Sequence, residues 1–540
     1  MHPTIEAEFS LRESHHRGYP TRVFEQLPQF LAQHFSKLSE HEAAEFVVTE
    51  QRRWTFGDVR RAAGGIARLL NGRGIEPGDR VALALPNSAE WIASFIAVSS
   101  IGAVPALINP RSAPEELKHC VESIDCRTWL ASEHPPAPHT LNTPEVSWLD
   151  LQQAIDNASD EPLPVVTRSS EDEALILFTS GTTGRAKAAS LTHESVLTAL
   201  KTIQYSSALI AAQMAEKYGM DYDDIVALRP PPVTLLMFPL FHVSGCHAVF
   251  LNNLLQGGRI VLLSRWDPQR ALDLIESEKI TAFPGVPTMY WDLLGAQSES
   301  PRDISSLTNV SVGGQATPAT LLSTINERLP QTVMGTGYGM TETNGTVTLL
   351  VGEDFSAQPS AVGRAVSTMD LEIRDEHGTA LPIGEPGEVC VRGTALMSGY
   401  VNVDGSPFDE HGWFATGDIG VLSDEGILSI VDRKTDMVIS GGENIYCAEV
   451  ERAIDQHPAI RESAAYGEPD ERLGERVVAV ACLEEGADVG HEEVLASLDV
   501  HLARYKLPKR LTLTREPLPR NPSGKIVKAL VRELVEGEQV

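Results

Sequence analysis

Residues 178–187 read FTSGTTGRAK, and the placement of this run decides how the rest of the chain is organised. The preceding residues, Ala174 to Phe178 (ALILF), are short, apolar and rich in strand formers, which predicts a buried strand. Straight after it come the hydroxyls of Thr179, Ser180, Thr182 and Thr183, the glycines Gly181 and Gly184, and the cations Arg185 and Lys187. Glycines let successive backbone N–H groups turn into one concavity, and such a nest favours anions. Lys187 adds a compact positive charge suited to phosphate. A solvated Ser/Thr/Gly turn has the same composition, so the loop alone leaves both readings open. It is not the phosphate loop of hydrolases and motors, because Gly184 and Lys187 are not adjacent as GxxxxGK[ST] demands.

At 540 residues the chain exceeds what one core supports, so two or more domains are expected. A formal net charge of −30 argues against nucleic acid as a partner, since phosphate backbones attract basic surfaces. A polyanionic substrate therefore needs a local positive patch. Arg504, Lys506, Lys509, Arg510, Arg515, Arg520, Lys525 and Lys528 supply one in sequence, with Glu516 as the acid among them. The cysteines Cys120, Cys126, Cys246, Cys390, Cys447 and Cys482 are scattered without CxxC or His/Cys ligand spacing, which predicts reduced thiols and a cytoplasmic enzyme. No apolar run approaches membrane-spanning length.

Along the chain, Thr55 and Asp58 in WTFGD predict a helix-capping box ahead of an apolar stripe from Val59 to Leu70. Arg80 to Leu85, a helix opening at Ser88, and Ala103 to Ile108 then make a βαβ unit, the signature of a parallel sheet covered by helices. Further strands are expected near 233–238, 259–263, 281–286 and 309–312. The run QTVMGTGYGMTET from Gln331 is expected as a loop whose glycines let a flat ring approach the backbone. Just past it, Glu342 is a candidate ligand for Mg²⁺, a hard cation that takes carboxylate and phosphate oxygens together. From about Leu349 the texture turns to short strands and turns, as in a small β subdomain, and the charged junction at 432–436 marks a domain boundary.

Seven motifs in fixed order carry a resemblance: FTSGTTGRAK, PLFHVSG, GGQATP, GYGMTE, WFATGDIG, VDRKTDMVISGGENIY and PSGK. On these, the chain resembles the ANL superfamily of adenylate-forming enzymes, specifically the AMP-forming acyl-CoA synthetases. The resemblance runs from Trp54 to Lys528. It implies an α/β fold with a large N-terminal domain (1–432) of layered, parallel-rich βα subdomains plus a small β-barrel subdomain at about 349–431. A small α+β C-terminal lid (433–540) would follow and carry the catalytic lysine.

The implied chemistry has two half-reactions: a carboxylate attacks the α-phosphate of Mg-ATP, and coenzyme A then displaces AMP. Thr179, Ser180, Gly181, Thr182, Thr183, Gly184 and Lys187 would hold the β- and γ-phosphates, Thr341 would contact the α-phosphate, and Glu342 the Mg²⁺. Gly314, Gln315 and Ala316, with Gly337, Tyr338 and Gly339, would line the adenine slot. Asp418 and Arg433 would bind the ribose hydroxyls, and Lys525 would bridge the acid and the α-phosphate. The C-terminal domain would then swing about a hinge near Thr435, bringing Gly441 and Gly442 to form the thiol tunnel. His242 would sit at the acyl pocket.

Three positions depart from the family pattern: Ala186 and Ala188 flank Lys187, Thr435 stands where Asp or Lys is usual, and Cys447 follows the Ile-Tyr pair. The alternatives are an inactive homologue, a carrier-protein-loading enzyme and a luciferase-like oxidase; the basic C-terminal patch favours free coenzyme A. Phe241 to Gly245, Gly285 to Thr288 and Gly313 to Gly314 would line the acyl pocket with small residues and no cation for a second carboxylate. A medium- or long-chain fatty acid is the expected substrate, with aromatic, terpenoid or steroid side-chain acids open. A homodimer is left open as well.

Overall fold

The computed structural model describes residues 2–16, 18–134, 141–179, 186–313, 319–358, 360–440, 443–470, 472–498, 501–521 and 524–537. They pack as two compact units. The first comprises Met1–Gly313, Ala319–Asp370 and Arg392–Phe414; the second includes Leu371–Val391 and Ala415–Val540.

The capping box forms as expected. The Asp58 amide donates to Thr55 Oγ1 and the Thr55 amide to Asp58 Oδ2, each at 3.0 Å, opening the helix Phe56–Gly72. Phe56, Val59, Ala63, Ile66 and Leu70 on it are buried, and each large apolar side chain removed from water contributes about 1.5–3 kcal/mol. The strands Arg80–Ala84 and Val104–Leu107 pair in parallel, with the helix Ala89–Ser100 between them capped by Ser88. This is the predicted βαβ unit. Its sheet runs Gly399–Tyr400, Lys187–Thr192, Glu173–Thr179, Val104–Leu107, Arg80–Ala84, Thr128–Ala131, Glu145–Val146.

A second parallel-rich run in this unit has the order Gly363–Ala365, Thr348–Val351, Val333–Tyr338, Asn309–Val312, Ala282–Gly285, Val233–Leu236, Arg259–Leu262, Glu45–Val48, Arg53–Thr55. Beyond Pro239 the expected strand gives way to helix. His242 begins a short turn, a π-helical stretch spans Cys246–Leu251, and Asn252–Gln256 continues it. Phe250 on the π turn fixes this segment against three rings: Phe95 at 5.4 Å, Trp91 at 6.0 Å and Phe46 at 6.4 Å between centroids.

The second unit holds the greater part of the neighbouring strands Met369–Arg374, Gly387–Gly393, Phe414–Leu422 and Ile427–Arg433. Its other sheet orders Glu443–Ile445, Val438–Ser440, Gly474–Leu483 and Ile460–Asp470, with Leu511–Thr514 paired in parallel to Gly474–Leu483. The helix Cys447–Ile454 covers this sheet, burying Val450 and Ile454. At the charged junction, Asp432 and Arg433 end a strand, and buried Asp432 accepts the Ala448 amide at 3.0 Å at the start of that helix. Among the described residues no helix is long and apolar enough to cross a membrane. The described cysteines are all free thiols, as expected.

Candidate active site

Thr179 and Lys187 face each other as the last paired residues of two antiparallel strands. The two strands are consecutive in the chain, and Lys187 opens the second of them opposite Thr179. Ser180, Gly181, Thr182, Thr183 and Gly184 lie outside the described residues, as do Gly314, Gln315, Ala316, Gly441 and Gly442.

Glu342 sits on the 3₁₀ turn Thr341–Thr343. The turn is closed by the Met340 amide donating to Thr343 Oγ1 at 3.0 Å, and by Asn344, whose φ of 54° is left-handed. Buried Asn344 donates to the Ala395 carbonyl at 2.8 Å and lies 3.2 Å from His247 Nε2. The Met397 amide donates to the Glu342 carbonyl at 2.8 Å. Glu342 therefore projects from a backbone pinned on both sides.

Sequence reasoning missed Tyr400. Its hydroxyl donates to Glu342 Oε1 at 2.8 Å, and the Lys187 ammonium lies 5.2 Å from its ring centroid, within cation–π range. Burial first, then the neighbouring Glu342 charge, push the phenol well above its ordinary pKa, so it stays a hydrogen-bond donor. The signal was present in SGYVN after Met397, but a two-residue strand has no periodicity to reveal it. Thr341, Glu342, Lys187 and Tyr400 thus converge in the first unit.

The glycine run is mostly strand rather than loop. Val333–Tyr338 is a strand that pairs with Thr348–Val351, so Gly335 and Gly337 lie within a ladder. Gly339 is required by its own chain: a Cβ there would fall 1.3 Å from the Gly345 carbonyl oxygen. Tyr338 ends this strand, half-buried. His242 is half-buried, its ring tilted 50° to that of Phe241 with centroids 4.5 Å apart, and precedes Gly245, where a Cβ would meet the Pro239 carbonyl at 2.1 Å. The tight crossing at Gly245 fixes the bend that carries His242.

In the second unit Asp418 and Arg433 pair across adjacent antiparallel strands. Arg433 Nε lies 3.5 Å from Asp418 Oδ1, with the carboxylate side chain 9% exposed and the guanidinium 56%. Lys525 joins them. Its surface is exposed, yet protein crowding its ammonium, followed by the Arg433 charge, holds its pKa below that of an ordinary lysine, with Asp418 opposing. Described residues on either side of its loop are hydrogen-bonded to one another. The Asn521 amide donates to the Lys525 carbonyl at 2.8 Å, the Lys525 amide returns to Asn521 Oδ1 at 2.9 Å, and Arg520 Nη1 donates to the Gly524 carbonyl at 2.6 Å. Thr435 is exposed in a turn closed by the Asp436 amide on the Arg433 carbonyl at 2.9 Å.

The basic C-terminal patch needs correction. Lys506 pairs with Glu449, Arg510 with Glu468, Arg520 with Glu462, and Lys528 with Asp436 and Glu451. These acids come from elements remote in sequence, so four of the eight cations that make the run basic along the chain are paired in space.

Glu342 fits Mg²⁺ by its chemistry: it is a carboxylate at the edge of a hydroxyl-lined turn, and among the described residues its hydrogen bond from Tyr400 engages Oε1.

The family model described as AMP-binding enzyme matches residues 33–401, and that of the AMP-binding enzyme C-terminal domain matches 449–525. The chain is similar to a feruloyl-CoA synthase from Amycolatopsis sp, at 34% identity over 88% of this chain and 93% of that protein. It is likewise similar to a long-chain-fatty-acid–CoA ligase of Mycobacterium tuberculosis, at 32% identity over 89% and 93%. Among solved structures it resembles the o-succinylbenzoate CoA synthetase of Bacillus subtilis in complex with its acyl-adenylate intermediate. The TM-score is 0.77 at 26% identity, covering 94% of this chain and 98% of that one. The chain belongs to the AMP-binding enzyme family and is an adenylate-forming ligase.

Proposed function

We propose that the chain activates a hydrophobic monocarboxylic acid with ATP and transfers it to coenzyme A. In the first half-reaction a carboxylate oxygen attacks the α-phosphorus, the bond to the bridging oxygen breaks, and pyrophosphate leaves. In the second, the thiol sulfur attacks the acyl carbon, AMP departs, and the thiol proton passes to solvent. No covalent enzyme intermediate is needed, so catalysis is positioning plus neutralisation of charge.

The observation that carries this reading is the cross-strand pair of Asp418 and Arg433, Nε 3.5 Å from Oδ1, with Lys525 feeling the charge of both. A carboxylate that accepts from ribose hydroxyls, a forked donor and a mobile point charge together suit a nucleotide undergoing attack at its α-phosphate. Lys187, with the loop from Thr179 to Gly184, would grip the departing phosphates, and Thr341 would face the α-phosphate. Gly337, Tyr338 and Gly339 would flank adenine along with Gly314, Gln315 and Ala316. Bound Mg²⁺, held by Glu342, would neutralise charge on the phosphate oxygens. Gly441 and Gly442 would line the thiol path, with His242 beside the acyl group. The division at 432/433, with Thr435 as pivot, belongs to the same proposal; the family models leave residues 402–448 between them, which supports it. Free thiols throughout the described cysteines support a cytoplasmic setting.

A medium- or long-chain fatty acid is the favoured acid, supported by the mycobacterial relative and by a pocket wall without Lys or Arg at 241–245 and 285–288. A phenylpropenoic acid is the second reading, supported by the feruloyl-CoA synthase relative. A panel of acids incubated with ATP and coenzyme A, read by the mass of the thioester, tests both. If no acid yields pyrophosphate, the ligase reading fails.

A further inference from the structure

Lys187 and Glu342 carry opposite charges and touch the same side chain from different directions. The ammonium rests against the Tyr400 ring and the carboxylate on the Tyr400 hydroxyl. Opposite charges this near one another attract, and an ion pair between them would occupy both the cation meant for phosphate and the anion meant for a metal.

The backbone fixes Tyr400 between them. Its strand register places Tyr400 opposite Ala189, two positions beyond Lys187. The Val401 amide donates to Ala188 at 2.8 Å and the Ser398 amide to Ser190 at 2.7 Å, while the Met397 amide holds the Glu342 carbonyl at 2.8 Å. Residues 397–401 are thus tied at one end to the metal-side turn and at the other to the lysine's strand. Among the described residues Lys187 has no carboxylate partner.

We propose that Tyr400 is a positioning residue that keeps Lys187 and Glu342 apart in the resting enzyme, its ring face holding the ammonium and its hydroxyl the carboxylate, so that both remain open to a metal-bound nucleoside triphosphate. The proposal rests on the roles proposed above for Lys187 and Glu342, and its test separates the two.

The first readout needs no substrate: the rate at which Lys187 of the full-length, nucleotide-free protein is acetylated by N-hydroxysuccinimidyl acetate, followed by peptide mass. In Tyr400→Phe the released carboxylate swings to the ammonium, and Lys187 labelling slows at least about threefold; Tyr400→Phe/Glu342→Gln restores it. Glu342→Gln alone leaves labelling within about twofold of wild type. Unchanged labelling in Tyr400→Phe overturns the proposal. So does a rise above about threefold in Glu342→Gln, which would mean the pair already exists. The Glu342→Gln comparison also keeps the proposal testable should Tyr400→Phe fold poorly.

The second readout is pyrophosphate release. In Tyr400→Phe the Mg²⁺ concentration giving half-maximal rate rises about five- to tenfold while KM for the acid stays constant; equal shifts in both overturn the positioning role. A wild-type protein that releases no pyrophosphate with any acid would sink the ligase reading, and the labelling result would still decide the spacer.

Discussion

Asp418 and Arg433 are cross-strand partners whose side chains converge on one face, Nε 3.5 Å from Oδ1, although 14 residues separate them along a strand–turn–strand segment. The carboxylate is nearly buried and the guanidinium half-exposed, so the acid holds the arginine while the arginine keeps reach. Substituting Asp418→Ala removes both an acceptor and that hold. We expect KM for ATP to rise about 10- to 100-fold, in line with hydrogen bonds to charged groups worth roughly 1.5–3 kcal/mol. Steady-state pyrophosphate release with varied ATP checks this; a change confined to the KM of the acid would contradict it.

In the proposed mechanism Lys525 would act at the α-phosphate only in the first half-reaction. Lys525→Ala should lower adenylation by more than about 100-fold, as expected for loss of a charge aimed at the developing transition state. Thioester formation from supplied acyl adenylate should stay within about threefold of wild type. Rapid-quench assays of the two steps give the comparison, and equal losses would refute the division of labour.

Glu462 is buried beside the segment leading to Lys525, where it accepts from Arg520 and from the Leu518 amide at 2.8 Å. Its side chain is 9% exposed and that of Arg520 19%. Glu462→Ala removes the carboxylate that part-buried Arg520 meets here, and breaking one side of such a pair costs up to roughly 3–5 kcal/mol. The melting temperature should fall by about 2–4 °C per kcal/mol lost. Calorimetry reads that shift; adenylation should fall with it even below the melting range, because Arg520 also holds Gly524 beside the lysine.

His193 and His247 are buried, and burial lowers both to about 4 from an ordinary 6.5. His193 Nδ1 accepts the Leu31 amide at 3.2 Å, a bond that protonation destroys. Between pH 6.5 and 4 the unfolded chain binds the proton that the folded chain refuses, so stability is full above that window and drains as pH falls through it. Melting temperature measured from pH 7.5 to 4.5 should drop beginning near 6.5. In His193→Gln, which keeps an acceptor, the slope should be shallower; an identical slope would assign the acid sensitivity to the other histidines lowered by burial, His34 and His247, or to carboxylates.

Local chemistry was legible where the partner lies within a few residues. Thr55 with Asp58 and Thr192 with Ser195 close their caps as their spacing dictates. The strand Asn309–Val312 falls where its apolar pattern puts it. Legibility ended where the partner is remote. Nothing near Lys506 or Arg510 announces Glu449 or Glu468, and nothing near Glu342 announces Tyr400, which is 58 residues away. Gly337 and Gly339 look like room for a ligand, but a ladder at one and a neighbouring carbonyl at the other use that room for the chain itself. The N-terminal helix Pro3–Glu8 and hairpin Leu11–His16/Tyr19–Phe24 went unread because their residues mix polar and apolar types without a sustained period. The apolar positions among them pack on distant Ala208, Ala211 and Tyr222.

The internal pairing of Lys506, Arg510, Arg520 and Lys528 has a kinetic consequence. With those cations spent on neighbours, a nucleotide approaching a protein of net charge −30 meets a repulsive far field before any local attraction. Screening shortens that field to about 10 Å at 0.1 M salt. Moderate salt should therefore accelerate nucleotide capture, the reverse of what a basic docking patch would produce, and stopped-flow binding of a fluorescent ATP analogue would register the sign directly.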